Sequence, residues 1–233
     1  TDTEDLQSGS RAAVAGGITA VFEMPNTNPP TSNKAEFKKK LDLAKNRMYC
    51  NYAFYFGATA DNSDQLADLK KLEGCCGIKL FAGSSTGNLL VAKEKDIEKV
   101  FQNSSKVVAV HSEDEEILNK NKKLIKKGDV HSHPVWRSEE CAISSTRRIV
   151  RIAELYKKKA HILHVTTKQE VDFLSQHKGN ITFEITPQHL TIYAPDCYNK
   201  LGTYAQMNPP IRDKSHYDRL WYGVKNNLND TIG

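Results

Sequence analysis

Short apolar runs, each followed by a longer amphipathic stretch, recur along the whole chain, and that alternation admits few folds. Residues 18–24, 50–57, 77–82, 107–111, 161–165 and 181–185 have the length and apolar continuity of buried strands. Residues 32–47, 63–72, 93–102, 113–127, 138–159, 168–177 and 213–228 place apolar side chains at helical spacing. Strands separated by helices run parallel, joined by right-handed crossovers, so the six runs form either an open doubly wound sheet or a closed barrel. No Gly-x-Gly-x-x-Gly follows any run, whereas polar residues close many successive runs. A barrel uses every strand end, so the expected fold is α/β, a TIM-type (β/α)8 barrel forming one domain over residues 1–233.

Local signals refine the outline. Thr1-x-x-Glu4 has capping-box spacing and Gly16-Gly17 reads as a helix stop, so the chain is expected to begin on a helix. Pro25, Pro29 and Pro30 end the first strand in a loop, and residues 187–212 form a long excursion rich in Pro and Asn. Thr231-Ile232-Gly233 reads as the start of a further strand. The chain is therefore expected to hold about strands two to seven of an eight-stranded barrel. The first and last strands, and any small flanking β domain, are expected outside it, since two bare edges are a liability.

With 39% hydrophobic and 26% charged residues, 233 residues are enough to bury a sizeable core. No apolar stretch approaches the roughly 20 residues of a membrane span, and the first residues lack a basic-then-apolar signal. Five cysteines, including the adjacent Cys75 and Cys76 but no Cys-x-x-Cys, read as reduced thiols of a cytoplasmic protein. The net charge is +5, but the lysines are spread over stretches such as 38–40, 122–127 and 157–159, mostly within helical patterns that also carry acids. These are solvated faces, which argues against nucleic-acid binding.

Lys79 breaks the pattern, because it lies inside the run Gly77-Ile78-Lys79-Leu80-Phe81-Ala82. A buried lysine must lose its charge or find an anion. Neutral, it is a nucleophile able to form a Schiff base, act as a general base, or add carbon dioxide and become a carbamate. The plain alternative is an amine held by an acid partner. His111 ends the run after Val110, and His164 lies in His161-Ile162-Leu163-His164-Val165. A lysine and two histidines on following parallel strands favour a metal site, with zinc the typical guest of neutral imidazoles. His131-Ser132-His133 has ligand spacing, but it sits between Lys126-Lys127-Gly128-Asp129 and Pro134 and reads as a polar loop. His161, three residues before His164, is expected on the opposite strand face. His177 and His216 look structural, and His189 is a candidate support for the site.

Several stretches, in order, resemble the dihydroorotases of the cyclic amidohydrolase family. They are Ala15-Gly16-Gly17-Ile18-Thr19 with Met24-Pro25-Asn26-Thr27-Asn28-Pro29-Pro30-Thr31, Gly77-Ile78-Lys79-Leu80-Phe81 with Gly83-Ser84-Ser85-Thr86-Gly87-Asn88, His111-Ser112-Glu113-Asp114, His164-Val165-Thr166-Thr167, Glu184-Ile185-Thr186-Pro187, and Met207-Asn208-Pro209-Pro210-Ile211-Arg212. The resemblance implies an amidohydrolase barrel and a zinc-dependent hydrolase of de novo pyrimidine biosynthesis, interconverting N-carbamoyl-L-aspartate and L-dihydroorotate. It implies two Zn2+ per site, with Lys79 as a carboxylated bridge and His111 and His164 as ligands. Asn26 and Asn208 match substrate-holding positions, and Arg212 is placed with them as support for their loop. A homodimer, or association with aspartate transcarbamoylase, is the partner expectation.

The match also has gaps. The family's strand-one His-x-His and strand-eight aspartate are not in this sequence, and Gln188 stands where many relatives have histidine. The 233 residues alone are accordingly expected to be inactive. Two other readings stand beside the first: another cyclic amidohydrolase, such as an allantoinase or hydantoinase, and a non-catalytic dihydroorotase-like scaffold subunit. Asn26 within Met24-Pro25-Asn26-Thr27, and Asn208-Pro209-Pro210, favour dihydroorotase.

Overall fold

A computed structural model describes residues 4–84 and 89–233. Seven strands, β1 (Ala20–Glu23), β2 (Asn51–Gly57), β3 (Cys75–Phe81), β4 (Val108–His111), β5 (Ala160–Ile162), β6 (Ile181–Ile185) and β7 (Thr231–Ile232), form one sheet in sequential order. Every neighbouring pair is parallel, and the sheet curls as an incomplete barrel. The short segment read as the beginning of a strand is thus paired, Thr231 opposite Glu184 and Ile232 opposite Ile185.

The helices are α1 (Leu6–Ala15), α2 (Lys34–Ala44), α3 (Glu94–Asn103), α4 (Glu115–Asn121), α5 (His133–Trp136), α6 (Glu139–Leu155), α7 (Lys168–Leu174), α8 (Pro187–Thr191), α9 (Asp196–Leu201) and α10 (Lys214–Lys225). Their starts follow capping chemistry. Asn33, Ser138, Thr167 and Asp213 each accept a first-turn backbone N–H. Thr1 lies outside the described residues, and α1 starts later than expected because Asp5 and Ser8 form the capping box. The helix expected over 113–127 is divided: Asp114 caps α4, which gives way to a 3-10 turn at Lys122–Leu124. Residues 63–72 wind mainly as a 3-10 helix, Ser63–Lys71. Among the described residues, no helix is long and apolar enough to cross a membrane.

Strand alternation divides the sheet into two chemistries. Phe54, Phe56, Ile78, Leu80, Val108, Val110, Ile162, Phe183 and Ile185 face the helices and join Phe37, Leu69, Ile97, Phe101, Ile149, Ile152, Leu174 and Leu220 in one core. The other face lines the lumen. There the register runs from Lys79 to Ala109, to His161 and to Thr182, with Phe81 opposite His111 one step nearer the mouth. The helix-facing half is a packed apolar layer, so the barrel keeps its polar groups on the inside.

Two glycines allow this lumen to form. A Cβ at Gly77 would press into the Tyr55 ring at 2.7 Å, and one at Gly83 would overlap the Glu113 carbonyl. Gly83 therefore lets the segment after β3 lie against the segment after β4, which holds the strands bearing Lys79 and His111 close at the mouth. Replacing Gly83 by alanine should destabilise the fold by about 1–3 kcal/mol through this backbone overlap. Urea unfolding measures it, and an unchanged midpoint would contradict the close approach.

Candidate active site

Lys79 lies mid-strand in β3, only 2% exposed. Burial pulls its amine down to about 7, against an opposing attraction from Glu184. Its Nζ sits 4.6 Å from the Phe81 ring centroid. One strand on, His111 ends β4, buried at 1% exposure. His164 comes two residues after β5 stops at Ile162, and its φ of 41° is left-handed. The turn brings its imidazole to His111, so that His111 Nδ1 and His164 Nε2 are 3.1 Å apart.

Glu113 sets the proton on His111. Its Oε2 is 2.8 Å from His111 Nε2, and Arg137 Nη1 makes an ion pair with the same oxygen. Burial would raise this carboxyl, but the His111 hydrogen bond and the charges of His111, Arg137 and Arg212 hold it low. An ionised carboxylate only accepts, so His111 carries its hydrogen on Nε2 and turns the Nδ1 lone pair toward His164. Burial also lowers the pKa of both histidines, most strongly that of His164, which His111 and Lys79 lower further. Two neutral imidazole nitrogens thus converge beside an amine that is readily neutral. His164 Nδ1 and Glu113 Oε1 are buried without a protein partner. This donor set fits zinc, which takes neutral imidazoles and anionic oxygen.

His161 corrects the strand reading. It is on the same face as Lys79, because Ala109 lies opposite both Lys79 and His161. The expectation carried strand alternation on to His164, whereas β5 ends two residues earlier and the chain then turns. Glu184 joins these groups: it accepts the His164 backbone N–H at 3.2 Å and contacts His161 Nε2 at 3.2 Å, while His161 Nδ1 meets Thr182 Oγ1 at 2.8 Å.

Asn26 follows β1, half-buried. Asn208, also half-buried, lies between Met207, whose carbonyl accepts from His133 Nε2, and Pro209, whose carbonyl accepts from His189 Nε2. Arg212 is 6% exposed, and its guanidinium donates to Thr166 Oγ1 and to the carbonyls of Pro134, Arg137 and Ser138. Its contacts therefore support the segment before α6. The polar loop expected around His133 is instead a 3-10 turn, Val130–Ser132, leading into α5, with His133 buried at 4% exposure. His189 is likewise buried. Residues 85–88 of the predicted loop after β3 lie outside the described residues.

Sequence reasoning did not assign roles to Glu113, Arg137 and Glu184. The signal for Glu113 was present, an acid two residues after the strand-end histidine, but its meaning depends on Arg137 arriving from a distant segment. A separate group, Glu139, Asp213 and His216, has potential ligand atoms within 4.8 Å of one another. Its nitrogens are already committed: His216 Nδ1 accepts the Lys168 N–H at 3.0 Å and Nε2 donates to Glu139 Oε1 at 2.8 Å. Asp213 caps α10. This group links α6, α7 and α10.

The buried amine makes stability depend on pH. An unfolded lysine holds its proton to its ordinary value of 10.5, while folded Lys79 loses it near 7. Between those values the unfolded chain binds more protons, so this group lets the metal-free fold gain stability as pH rises. Its penalty is complete below about pH 7. Lys79→Met should therefore stabilise the metal-free protein most below pH 7, with the advantage shrinking by about 1.4 kcal/mol per pH unit above it. Denaturant titrations from pH 6 to 10 in carbonate-free buffer measure this, and a pH-independent difference between the two proteins would contradict the assignment.

No family model matches the chain. It is 31% identical to a dihydroorotase of Methanosarcina mazei over 98% of its own length and 52% of that protein. It is 32% identical to a dihydroorotase of Pyrococcus abyssi over 97% of its length and 50% of that protein. Among solved structures, the L-hydantoinase of Arthrobacter aurescens superposes with a TM-score of 0.92 at 26% identity, covering 98% of this chain and 52% of that one. The chain spans about half the length of the curated relatives it matches. Sequence likeness and shared barrel agree: the chain belongs to the dihydroorotase-like cyclic amidohydrolases.

Proposed function

We propose that the intact protein is a dihydroorotase, reversibly cyclising N-carbamoyl-L-aspartate to L-dihydroorotate with zinc as cofactor. The observation that carries this reading is the convergence of His111 Nδ1 and His164 Nε2 beside Lys79, in a chain that matches dihydroorotases over nearly its whole length. Lys79, His111 and His164 would hold the metal. Bound zinc supplies Lewis acidity and makes hydroxide available near neutral pH.

The chain's own groups have distinct tasks. Neutral Lys79 Nζ can form an N–C bond to carbon dioxide and release a proton, and the resulting carbamate provides two anionic oxygens. Glu113, held by Arg137, keeps the hydrogen of His111 on Nε2 and the Nδ1 lone pair directed at His164. Glu184 accepts the His164 backbone N–H and so fixes the turn that aims this imidazole. Asn26 and Asn208 follow β1 and β6, and their amides have the donors and acceptors to read a ureide edge or a carboxylate.

The likeness to the Arthrobacter L-hydantoinase supports a second reading, hydantoin hydrolysis on the same centre. Rates of the intact zinc-loaded protein on dihydroorotate, hydantoin and allantoin separate the two. Dihydroorotate should be preferred, and preference for either other ring defeats the proposal. Lys79→Ala should lose bound zinc and turnover together, by about a hundredfold or more in turnover. Full zinc content with normal turnover in that variant would refute the ligand role of Lys79.

A further inference from the structure

The segment Met207–Asn208–Pro209–Pro210–Ile211 has little regular structure, yet alternate carbonyls are each taken by a buried side chain. His133 Nε2 donates to the Met207 carbonyl at 2.8 Å, His189 Nε2 to the Pro209 carbonyl at 3.3 Å, and Tyr198 Oη to the Ile211 carbonyl at 3.1 Å. The Arg212 carbonyl then accepts the Ala194 N–H at 2.8 Å. The three side-chain donors come from α5, α8 and α9, all at the barrel mouth, and are at most 4% exposed.

Each imidazole is held in one tautomer by its second nitrogen. Gln206 Nε2 donates to His133 Nδ1 at 3.2 Å, and Thr186 Oγ1 lies 2.6 Å from His189 Nδ1. A carbonyl only accepts, so Nε2 carries the hydrogen in both rings. Burial favours the neutral form in each and brings His189 down to about 4. The two imidazoles take the carbonyls of Met207 and Pro209, on either side of Asn208, so the backbone that carries its amide is held from both directions. A motif with metal-ligand spacing thus has a contact set that calls for no metal.

We infer that His133 is a positioning residue: with His189 and Tyr198 it clamps Met207–Ile211, and it presets the Asn208 amide for the ring or carboxylate of a cyclic ureide substrate. The substrate part rests on the proposed function, whereas the clamp does not. Buried donors on alternate carbonyls reduce the freedom of the segment before ligand arrives, so less ordering remains to oppose binding. Losing the clamp should weaken substrate binding more than the chemical step.

The test uses the intact zinc-loaded protein with His133→Ala and His133→Gln, the glutamine amide replacing the Nε2–H donor. Hydrogen exchange of the peptide covering residues 204–214 should speed up in His133→Ala and return toward wild type in His133→Gln, with bound zinc unchanged. KM for dihydroorotate should rise about tenfold in His133→Ala while kcat changes by less than about threefold, and His133→Gln should recover most of the loss. Tyr198→Phe, which removes one hydroxyl at the next anchor, should speed exchange in the same peptide and serves if His133→Ala does not fold. Unchanged exchange in the folded variants overturns the clamp. Faster exchange with unchanged KM overturns the substrate-positioning role. A wild type that shows the exchange pattern but ignores dihydroorotate removes the functional reading and supports the clamp.

Discussion

An amine enclosed in the lumen of a barrel cannot keep its proton cheaply, and much of the site follows from that constraint. Lys79 is buried, which disfavours an ammonium, and the attraction of Glu184 only partly offsets that burial. Placing His111 and His164 alongside keeps the pocket from accumulating positive charge, because burial keeps these rings neutral as well. The outcome is a cluster of neutral nitrogens, two of them joined by one imidazole–imidazole hydrogen bond, with no strong acid among them. Such a cluster is poor as a stabilising core and well suited to a cation with a bridging anion.

The sheet can carry this cluster because its other face is apolar over β2 to β6. Phe54, Phe56, Ile78, Leu80, Val108 and Val110 pack outward against the helices, while their strand neighbours turn inward. Burial of the outer layer offsets the unfavourable lumen, and parallel register aligns Lys79, Ala109, His161 and Thr182 across four strands. A shift of one residue in any of these strands would exchange the two faces and place lysine or histidine in the apolar layer. The same pattern that specifies the core therefore specifies the site.

The alternation of strands and helices was legible in sequence because its periods are local, and Lys79 and His111 stood out as polar residues in apolar runs. The side on which His161 lies was not legible, since it depends on β5 ending at Ile162 and on the left-handed His164, neither of which leaves a compositional trace. His133 lies in a stretch that reads as a polar loop because lysines, Gly128 and Pro134 surround it. Its burial comes from the excursion after β6 folding over it, a contact 74 residues away in sequence. Glu113 likewise looked like one more helix-start acid, and only the arrival of Arg137 gives it a role. Local periodicity reports which strand a group is on, whereas the proton it holds is decided by partners from other segments.

Residues 133–138 show how such partners combine. His133 anchors the excursion through the Met207 carbonyl, and the Arg137 side chain pairs with Glu113 and donates to the Ser84 carbonyl at 2.5 Å. The carbonyls of Pro134, Arg137 and Ser138 in turn accept from Arg212, at the far end of the excursion. One short segment thus touches the loop after β3, the acid that orients His111, and both ends of the stretch that carries Asn208. Arg137 and Arg212 are both buried, and Glu113 is the carboxylate nearest to balancing them, so each guanidinium relies on the others remaining in place. Displacing Arg212 would release the Arg137 backbone, leave Glu113 less well held and free the proton position on His111. The Asn208 side and the His111 side of the mouth are in this way coupled through one short segment.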